Sequence, residues 1–280
     1  MSGKIAVIGG SGVYAIDGIE FVKEHDVSTP FGKPSAPILE AKFKGVDCFF
    51  LPRHGRHHEF LPHEVNYCAN IYALKSLGVK YIISVSAVGS LKEELPPTHV
   101  VLPDQFIDWT KGLRRRSFFG EGIAGHVSTA LPIELNLQKL FAQACAKLEV
   151  PFTKGGSYVC IEGPQFSSKA ESAIYRSFGA SVIGMTNVPE SYLAKEAGIA
   201  YATIAMVTDY DCWKEEHCSV EEVMRVMKEN NQTVHKILAE VLPMMGKNPP
   251  SFKEENKNAI MTSLEKLSQK QQKMIEVLLQ

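Results

Sequence analysis

Residues 66–90 read NYCANIYALKSLGVKYIISVSAVGS, and this stretch decides the fold. An amphipathic segment, Asn66–Leu77, is followed by Gly78 and then by the apolar, β-branched run Tyr81–Val85. Glycine directly after the last helical turn is a common helix stop, because it readily takes the left-handed conformation found there. We therefore predict a helix and then a buried strand, the unit of a parallel sheet whose strands are joined by helices.

Similar helix–glycine–strand units recur along the chain, without an internal repeat. We predict one α/β domain over residues 1–280, with a mixed, mostly parallel central sheet flanked by helices. Near Pro250 the core pattern stops, and within the tail of residues 250–280 we expect the last amphipathic segment, Ile260–Leu279, to form a tail helix that packs on this domain or on a neighbouring subunit. Further strands are predicted at Ile5–Ile8, Cys48–Leu51, Val100–Leu102, Tyr158–Ile161, Ser181–Met185 and Ala200–Val207, and further helices at Leu135–Leu148, Lys169–Phe178 and Pro189–Ala197.

The composition is that of an ordinary globular protein, with 45% apolar and 22% charged residues. Because the net charge is −1, no overall field favours nucleic acid or a membrane surface, although a local cationic pocket can still hold a small anion. The six cysteines form no CxxC pair, and no apolar run is long enough to span a membrane. We expect reduced thiols and a cytoplasmic protein, with the nucleus left open as a second compartment.

Polar and glycine-rich segments follow most of these strands. Ligands of open α/β sheets bind beyond the carboxyl ends of the strands, so we expect a small-molecule site where these segments meet. They are Gly9–Gly12, Pro52–His58, Ser86–Ser90, Glu162–Ser168, Thr186–Asn187 and Thr208–Asp211.

The first of these segments matches the dinucleotide fingerprint G-x-G-x-x-A over residues 10–15. That fingerprint needs a long helix directly after the glycines, and none fits before the prolines that begin at Pro30. We therefore set a dinucleotide aside. Backbone N–H groups and the Ser11 hydroxyl can hold a lone phosphate instead, and a tight turn without a ligand is the alternative.

The basic segment after the second predicted strand contains Arg53, His54, Arg56, His57 and His58. Its histidines fit no standard zinc spacing, so we predict no metal site here. The Arg53 guanidinium is always charged and its fork matches two phosphate oxygens, which makes it the better clue to an anion. A solvated basic loop explains the residues after His54 well.

Asp209 and Asp211 end the most hydrophobic strand. Carboxylates spaced i, i+2 on a strand point to the same side, and a partly desolvated one can have its pKa raised enough to donate a proton. An aspartate-rich turn or helix start is the alternative. Ser168 and Glu171 predict a capping box, and Phe166 just ahead is either a helix staple or an aromatic face for a planar ligand.

Six segments in the same order resemble the trimeric purine nucleoside phosphorylase family, in particular its methylthioadenosine-cleaving members, over almost the whole chain. The resemblance implies a phosphorylase/hydrolase-like fold and a homotrimer in which a neighbouring subunit completes the site. It also implies inorganic phosphate as co-substrate, with no cofactor. The segments are Ile8–Gly12, Thr29–Ser35, Arg53–His58, Ile161–Ser168, Met185–Glu190 and Thr208–Trp213.

The resemblance also implies roles for single residues. Those implied for phosphate are Ser11, Arg53, His54, Ser86, Ala87 and Thr186. Those implied for the nucleoside are Phe166, Ser167, Asp209 and Asp211 around the purine, Met185 beneath the ribose, and Val220, Val223 and Met224 around the 5′-methylthio group. His126 and Leu278 match residues lent by the adjacent subunit, while Ser11 and Ser86 stand where the family commonly has threonine and keep the hydroxyl.

The implied reaction is phosphorolysis of 5′-methylthioadenosine to adenine and 5-methylthioribose 1-phosphate. Asp209 would protonate the purine N7 while the ribose becomes oxocarbenium-like. A carboxylate accepts from the exocyclic amine of adenine and disfavours a 6-oxopurine. A 6-oxopurine nucleoside or methylthioinosine phosphorylase is the main alternative, and a non-enzymatic purine or phosphate binding module is the other.

Overall fold

A central sheet of eleven strands organises the chain in the computed structural model, which describes residues 3–10, 12–13, 16–214 and 220–280. The strands are β1 (Lys4–Gly9), β2 (Ile19–His25), β3 (Ile38–Phe43), β4 (Val46–Pro52), β5 (Val79–Ser90), β6 (Val100–Leu102), β7 (Gln105–Trp109), β8 (Phe152–Lys154), β9 (Ser157–Ile161), β10 (Val182–Gly184) and β11 (Ala200–Tyr210). The helices are α1 (Tyr67–Ser76), α2 (Leu135–Lys147), α3 (Lys169–Ser177), α4 (Asn187–Glu196), α5 (Val220–Lys247) and α6 (Gln269–Leu278).

The centre of the sheet is parallel. β1 lies between β4 and β5 and runs parallel to both, and β11 runs parallel to β5 along a long ladder. Antiparallel pairs join β2, β3 and β4 at one edge and link β10 to β5 and β6 to β11. The predicted mixed, mostly parallel sheet is confirmed, and its topology brings the carboxyl ends of β1, β4, β5 and β11 together.

Helices cover both faces of the sheet, because its central strands are apolar on both sides. α2 and α5 pack on one face, where Leu137, Phe141 and Ile237 are fully buried. α1, α4 and α6 pack on the other face through side chains such as Ile71 and Leu193. Among the residues that the structure describes, no helix has both the length and the apolar character needed to cross a membrane.

The tail helix is shorter than predicted. It covers Gln269–Leu278 rather than Ile260–Leu279, because Ser268 and Gln271 form a capping box that starts it there. The preceding irregular chain is fixed by Asn256, whose Nδ2 donates to the carbonyl oxygens of Glu196 and Leu278. The Leu278 side chain is 1% exposed and packs in the core of its own chain, so it is not available to a neighbouring subunit.

Candidate active site

The carboxyl ends of the central parallel strands form one rim. The backbone N–H of Arg53, just after β4, donates to the carbonyl of Gly9 at the end of β1 over 2.9 Å. β5 continues beyond β1, since Ser84 pairs with Ile8 while residues 86–90 run on beside β11. Ala87 is exposed within this otherwise largely buried stretch of β5. The strand therefore borders an open space at the rim.

Three hydroxyl groups meet at this part of β5. Ser86 Oγ lies 3.3 Å from Thr186 Oγ1 and 3.2 Å from the Tyr158 hydroxyl. Tyr158 also accepts the backbone N–H of Thr186 at 3.5 Å. The structure thus brings together two of the side chains implied for phosphate, Ser86 and Thr186. It adds a third group, Tyr158, which the sequence places only on a strand.

The glycine-rich turn lies beside the same rim. Ser11 is outside the described residues, so its role stays a prediction. Before Ser11 in the chain, the carbonyl of Gly10 accepts the N–H of Val13 at 3.1 Å. After Ser11, the carbonyl of Gly12 accepts from His235 Nε2 of α5 at 2.7 Å. In the described part of the chain after these glycines the first regular element is β2, not a helix, so the dinucleotide fingerprint lacks its required context.

His54 is a neutral side chain at the rim. Its Nδ1 lies 2.8 Å from the carbonyl oxygen of Phe60. Because a carbonyl only accepts, Nδ1 carries the proton and Nε2 is an acceptor. Burial and the neighbouring Arg53 charge lower the pKa of His54 to about 4, which keeps the ring neutral at pH 7. Such a ring can accept a hydrogen bond from a protonated phosphate oxygen.

The Arg53 guanidinium is buried rather than open to a ligand, with 2% of the residue exposed. Nε and Nη2 donate to the two carboxylate oxygens of Glu190 at 2.6 and 2.8 Å. Nη2 also donates to Ser84 Oγ at 2.8 Å, and Nη1 to the carbonyl of Val85 at 3.0 Å. Four of its five N–H hydrogens are engaged. The two-pronged grip on phosphate expected from the sequence is therefore not available, and at most one Nη1 hydrogen can reach an anion.

Glu190 extends this ion pair into a buried polar network. Its Oε1 accepts from the Tyr201 hydroxyl and from Ser84 Oγ, each at 2.9 Å. Asn187 in turn donates to the Tyr201 hydroxyl at 2.7 Å. The network joins the end of β4 to β5, to α4 and to β11. The sequence analysis missed it, because Glu190 stands 137 residues from Arg53 and nothing along the chain signals the pairing.

Asp209 and Asp211 lie on the same side of the chain, beside Gly89 of β5, as predicted. A methyl group on Gly89 would stand 3.6 Å from Asp209 Oδ2 and equally far from Asp211 Cβ. Burial raises the pKa of Asp209 against the opposing effect of Thr208, and burial is also the largest cause of the raised pKa of Asp211. Two neighbouring carboxyl groups with raised pKa values at a ligand rim are typical of acid catalysis.

The Thr208 hydroxyl can form hydrogen bonds with both the protonated and the ionised form of Asp209. Its Oγ1 lies 2.5 Å from Asp209 Oδ1 and 3.1 Å from the carbonyl of Val88. A hydroxyl has only one hydrogen to donate. When Thr208 donates its hydrogen to the carbonyl of Val88, the hydrogen between Thr208 Oγ1 and Asp209 Oδ1 must come from protonated Asp209. When Asp209 is ionised, Thr208 turns to it. The geometry therefore accommodates both states of the acid.

The residues Phe166 and Ser167, implied for the purine, follow β9 and lie next to the segment that contains the two aspartates. The carbonyl of Ser167 accepts from Cys212 Sγ at 3.2 Å. The Ser168–Glu171 capping box is present, as predicted. Phe166 is 86% exposed, so the helix-staple interpretation is wrong and its aromatic face is open. Met185 is half-buried, and its Sδ packs against Gly163.

The outermost residues implied by the resemblance are only partly described. Met224 in α5 is largely exposed, whereas the side chains of Val220 and Val223 lie outside the described part. His126 is exposed in the segment between β7 and α2, where its N–H donates to the carbonyl of Ala259 at 2.9 Å. Within the described ranges, no group of three or more His, Cys, Asp or Glu side chains could hold a metal ion.

Glu190→Gln should destabilise the protein by about 3 kcal/mol or more, because it leaves the Arg53 charge buried without its counter-ion. The free energy of unfolding from urea titration measures this effect. The matched control is Asp47→Asn, since the Lys42–Asp47 pair at 3.8 Å is exposed; it should leave stability nearly unchanged. Equal effects of the two substitutions would contradict the structural role of the buried pair.

Sequence comparisons with known proteins identify the family to which this chain belongs. The family profile described as the phosphorylase superfamily matches residues 4–243. An S-methyl-5′-thioadenosine phosphorylase of Thermosynechococcus vestitus is 47% identical over 100% of this chain and 99% of its own, and one of Rhodospirillum rubrum is 54% identical over 81% and 77%.

Solved structures are similar over most of the chain. A methylthioadenosine phosphorylase from an antarctic soil metagenomic library superposes with a TM-score of 0.95 at 41% identity, over 100% of this chain and 99% of that one. The methylthioadenosine phosphorylase of Schistosoma mansoni in complex with adenine gives a TM-score of 0.83 at 38% identity, over 88% and 92%. The chain therefore belongs to the phosphorylase superfamily, among the S-methyl-5′-thioadenosine phosphorylases.

Proposed function

We propose that this chain uses inorganic phosphate to cleave 5′-methylthioadenosine into adenine and 5-methylthioribose 1-phosphate. The observation that carries the proposal is that a pair of hydroxyl groups and a partly buried acid lie beside the same strand, β5. Ser86, beside Thr186, and Gly89, beside Asp209, are three residues apart in β5, which is about 10 Å. A ribosylated purine spans this distance between a bound phosphate and a proton donor.

Phosphate is held at the hydroxyl end of the site by neutral donors. Ser86 and Thr186 donate their O–H groups to its oxygens, and the exposed position of Ala87 leaves room for it. Nε2 of His54 accepts from a protonated phosphate oxygen, since its Nδ1 hydrogen is engaged by Phe60. Arg53 contributes at most one N–H and acts chiefly by fixing the rim through Glu190. Orientation of the nucleophile in this way is a large part of such a rate enhancement.

The leaving purine is activated at the other end. As the glycosidic bond stretches, the ribose gains positive charge next to the phosphate and the base gains negative charge. Asp209, whose pKa is raised by burial, donates its proton to N7 of the purine. Asp211 accepts from the exocyclic amine, an interaction that a 6-oxopurine cannot make. Phe166 offers its open aromatic face to the base, and Met185 lies beneath the ribose.

Asp209→Asn should lower kcat with 5′-methylthioadenosine by about a hundredfold or more, because the amide has no acidic proton for N7. The KM for phosphate should change little, since Asp209 lies at the other end of the site. Phosphate-dependent release of adenine measures both constants. Asp47→Asn, at the opposite end of the sheet, is the matched control and should behave as the parent protein.

Two outcomes would count against this proposal. Equal losses in kcat and in phosphate affinity would remove the proton-donor role from Asp209. Faster cleavage of methylthioinosine than of methylthioadenosine by the unmodified protein would favour a 6-oxopurine phosphorylase on the same fold.

Thr208→Val should extend activity to higher pH. The Thr208 hydroxyl lowers the pKa of Asp209 by stabilising the ionised carboxylate, so its removal raises that pKa further. Because the protonated acid is the active form, activity is present below the pKa of Asp209 and is lost as the pH rises through it. The alkaline limb of the kcat profile should therefore move to higher pH. The same substitution at Thr203, earlier in β11, should leave the limb in place, and a shift to lower pH with Thr208→Val would contradict the role of Asp209.

We infer that the active form is a homotrimer in which a neighbouring subunit supplies His126. Apolar side chains are exposed around the purine end, among them Leu113 at 69% and Phe166 at 86%. Their segments are tied together, because the N–H of Lys111 donates to Glu162 Oε2 at 2.7 Å. Exposed apolar patches of this kind are typical of subunit interfaces.

Leu113→Glu should dissociate the trimer and abolish most activity, because it places a charge in the proposed interface. Analytical ultracentrifugation of the active species, at the protein concentration of the assay, measures the oligomeric state. Val22→Glu, on the exposed strand β2, is the control and should leave both properties unchanged. A fully active monomer would refute the inference.

A further inference from the structure

Tyr158 occupies a position that the proposed mechanism leaves unused. Its ring packs edge-on against Phe106, with centroids 5.7 Å apart, and its side chain is fully buried behind Ser86 and Thr186. A Cβ on Gly184 would collide with the Tyr158 hydroxyl, although Gly184 is not among the residues with positive φ. The glycine is therefore required by the hydroxyl and not by the backbone conformation of β10.

One neighbour of Tyr158, the backbone N–H of Thr186, can only donate, which favours one direction for the other hydrogen bonds of Tyr158. The backbone N–H of Thr186 donates to the Tyr158 oxygen at 3.5 Å, so this oxygen is already used as an acceptor. Its own hydrogen is then available to Ser86 Oγ at 3.2 Å. The remaining carbonyl acceptor for Ser86 is that of Ala87, at a long 3.4 Å. A phosphate oxygen at the rim would make a shorter, charge-assisted bond.

We propose that Tyr158 is a positioning residue for phosphate: by donating to Ser86 Oγ, it turns the Ser86 hydrogen towards the bound anion. A serine hydroxyl can either donate to or accept from a neighbour, and free rotation would cost part of its affinity for an anion. Since Tyr158 donates to Ser86 Oγ from behind and Thr186 Oγ1 lies at its side, the best acceptor for the Ser86 hydrogen is the anion at the rim. This inference rests on the proposed phosphorolysis and assigns no contact between Tyr158 and substrate.

The state of Tyr158 supports this direction. Burial raises its pKa to about 12, so the phenol keeps its hydrogen throughout the working range of pH. Tyr158 therefore stays a donor while phosphate itself titrates. A tyrosine needed only to fill space would make no use of this hydroxyl, and phenylalanine would replace it without effect on phosphate.

The test is the KM for phosphate in Tyr158→Phe, measured at saturating 5′-methylthioadenosine. We expect a rise of about three- to tenfold, from the loss of one net hydrogen bond, with kcat and the KM for the nucleoside nearly unchanged. Tyr81→Phe is the matched control. It removes another buried phenol hydroxyl, bonded to the carbonyl of Pro250 at 2.9 Å, and should leave the phosphate KM unaltered.

A double-mutant cycle with Ser86→Ala shows whether Tyr158 acts through Ser86. If it does, Tyr158→Phe has little further effect on the phosphate KM once the serine hydroxyl is gone. Full additivity of the two substitutions would overturn the inference. So would an unchanged phosphate KM in a folded Tyr158→Phe protein.

A second variant keeps the test decisive if phenylalanine disturbs folding. 3,5-Difluorotyrosine at position 158 retains the ring and the hydroxyl and makes the hydroxyl a stronger donor, so at mildly acidic pH the phosphate KM should fall. A rise there would overturn the proposal. Failure of the proposed function is separate, because the unmodified protein would then release no adenine in the presence of phosphate.

Discussion

A buried ion pair between Arg53 and Glu190 is the interaction on which the site depends. Removing two charges from water costs several kcal/mol per ion, and such a pair persists only when each charge meets the other in good geometry with further hydrogen bonds. Ser84, Val85 and Tyr201 supply those bonds. The requirement fixes the end of β4 against β5, α4 and β11, elements that carry several of the side chains proposed to face the substrate. Sites held on rigid elements in this way keep their geometry.

The same pair explains how the proposed anion site and an acid with a raised pKa can share one rim. An uncompensated Arg53 charge would favour the ionised form of any carboxyl nearby. Glu190 offsets much of that charge, and the pKa of His54, lowered by burial and by Arg53, leaves its ring neutral. Asp209 therefore keeps the raised pKa that burial gives it. In the proposed site the anion is therefore left to hydroxyl and backbone donors, which carry no net positive charge.

Sequence reasoning predicted the parts of the structure that depend on local chemistry. The helix–glycine–strand unit of residues 66–90, the Ser168–Glu171 capping box and the shared side of Asp209 and Asp211 follow from spacing alone, and all three are present. The edge strand β2 was missed because its side chains are mostly exposed and lack an apolar run. The tail helix was drawn too long because amphipathic spacing does not mark where a capping residue begins a helix.

The remaining differences arise from contacts between distant parts of the chain. Nothing near Arg53 in the sequence shows that Glu190 will neutralise it, so a buried arginine and a phosphate-binding arginine look alike. Tyr158 likewise reads as an ordinary strand residue until Ser86 and Thr186 are seen in front of it. In both cases a residue distant in the sequence, Glu190 behind Arg53 and Tyr158 behind Ser86, determines which hydrogen bonds the front residue can still make.

The most direct test of this account is a crystal structure of the protein with phosphate and a non-cleavable methylthioadenosine analogue. We predict that Arg53 keeps both bonds to Glu190 while the anion is bound by the hydroxyls of Ser86 and Thr186, with the purine N7 facing Asp209. An Arg53 that leaves Glu190 to grip the phosphate with two N–H groups would contradict the account.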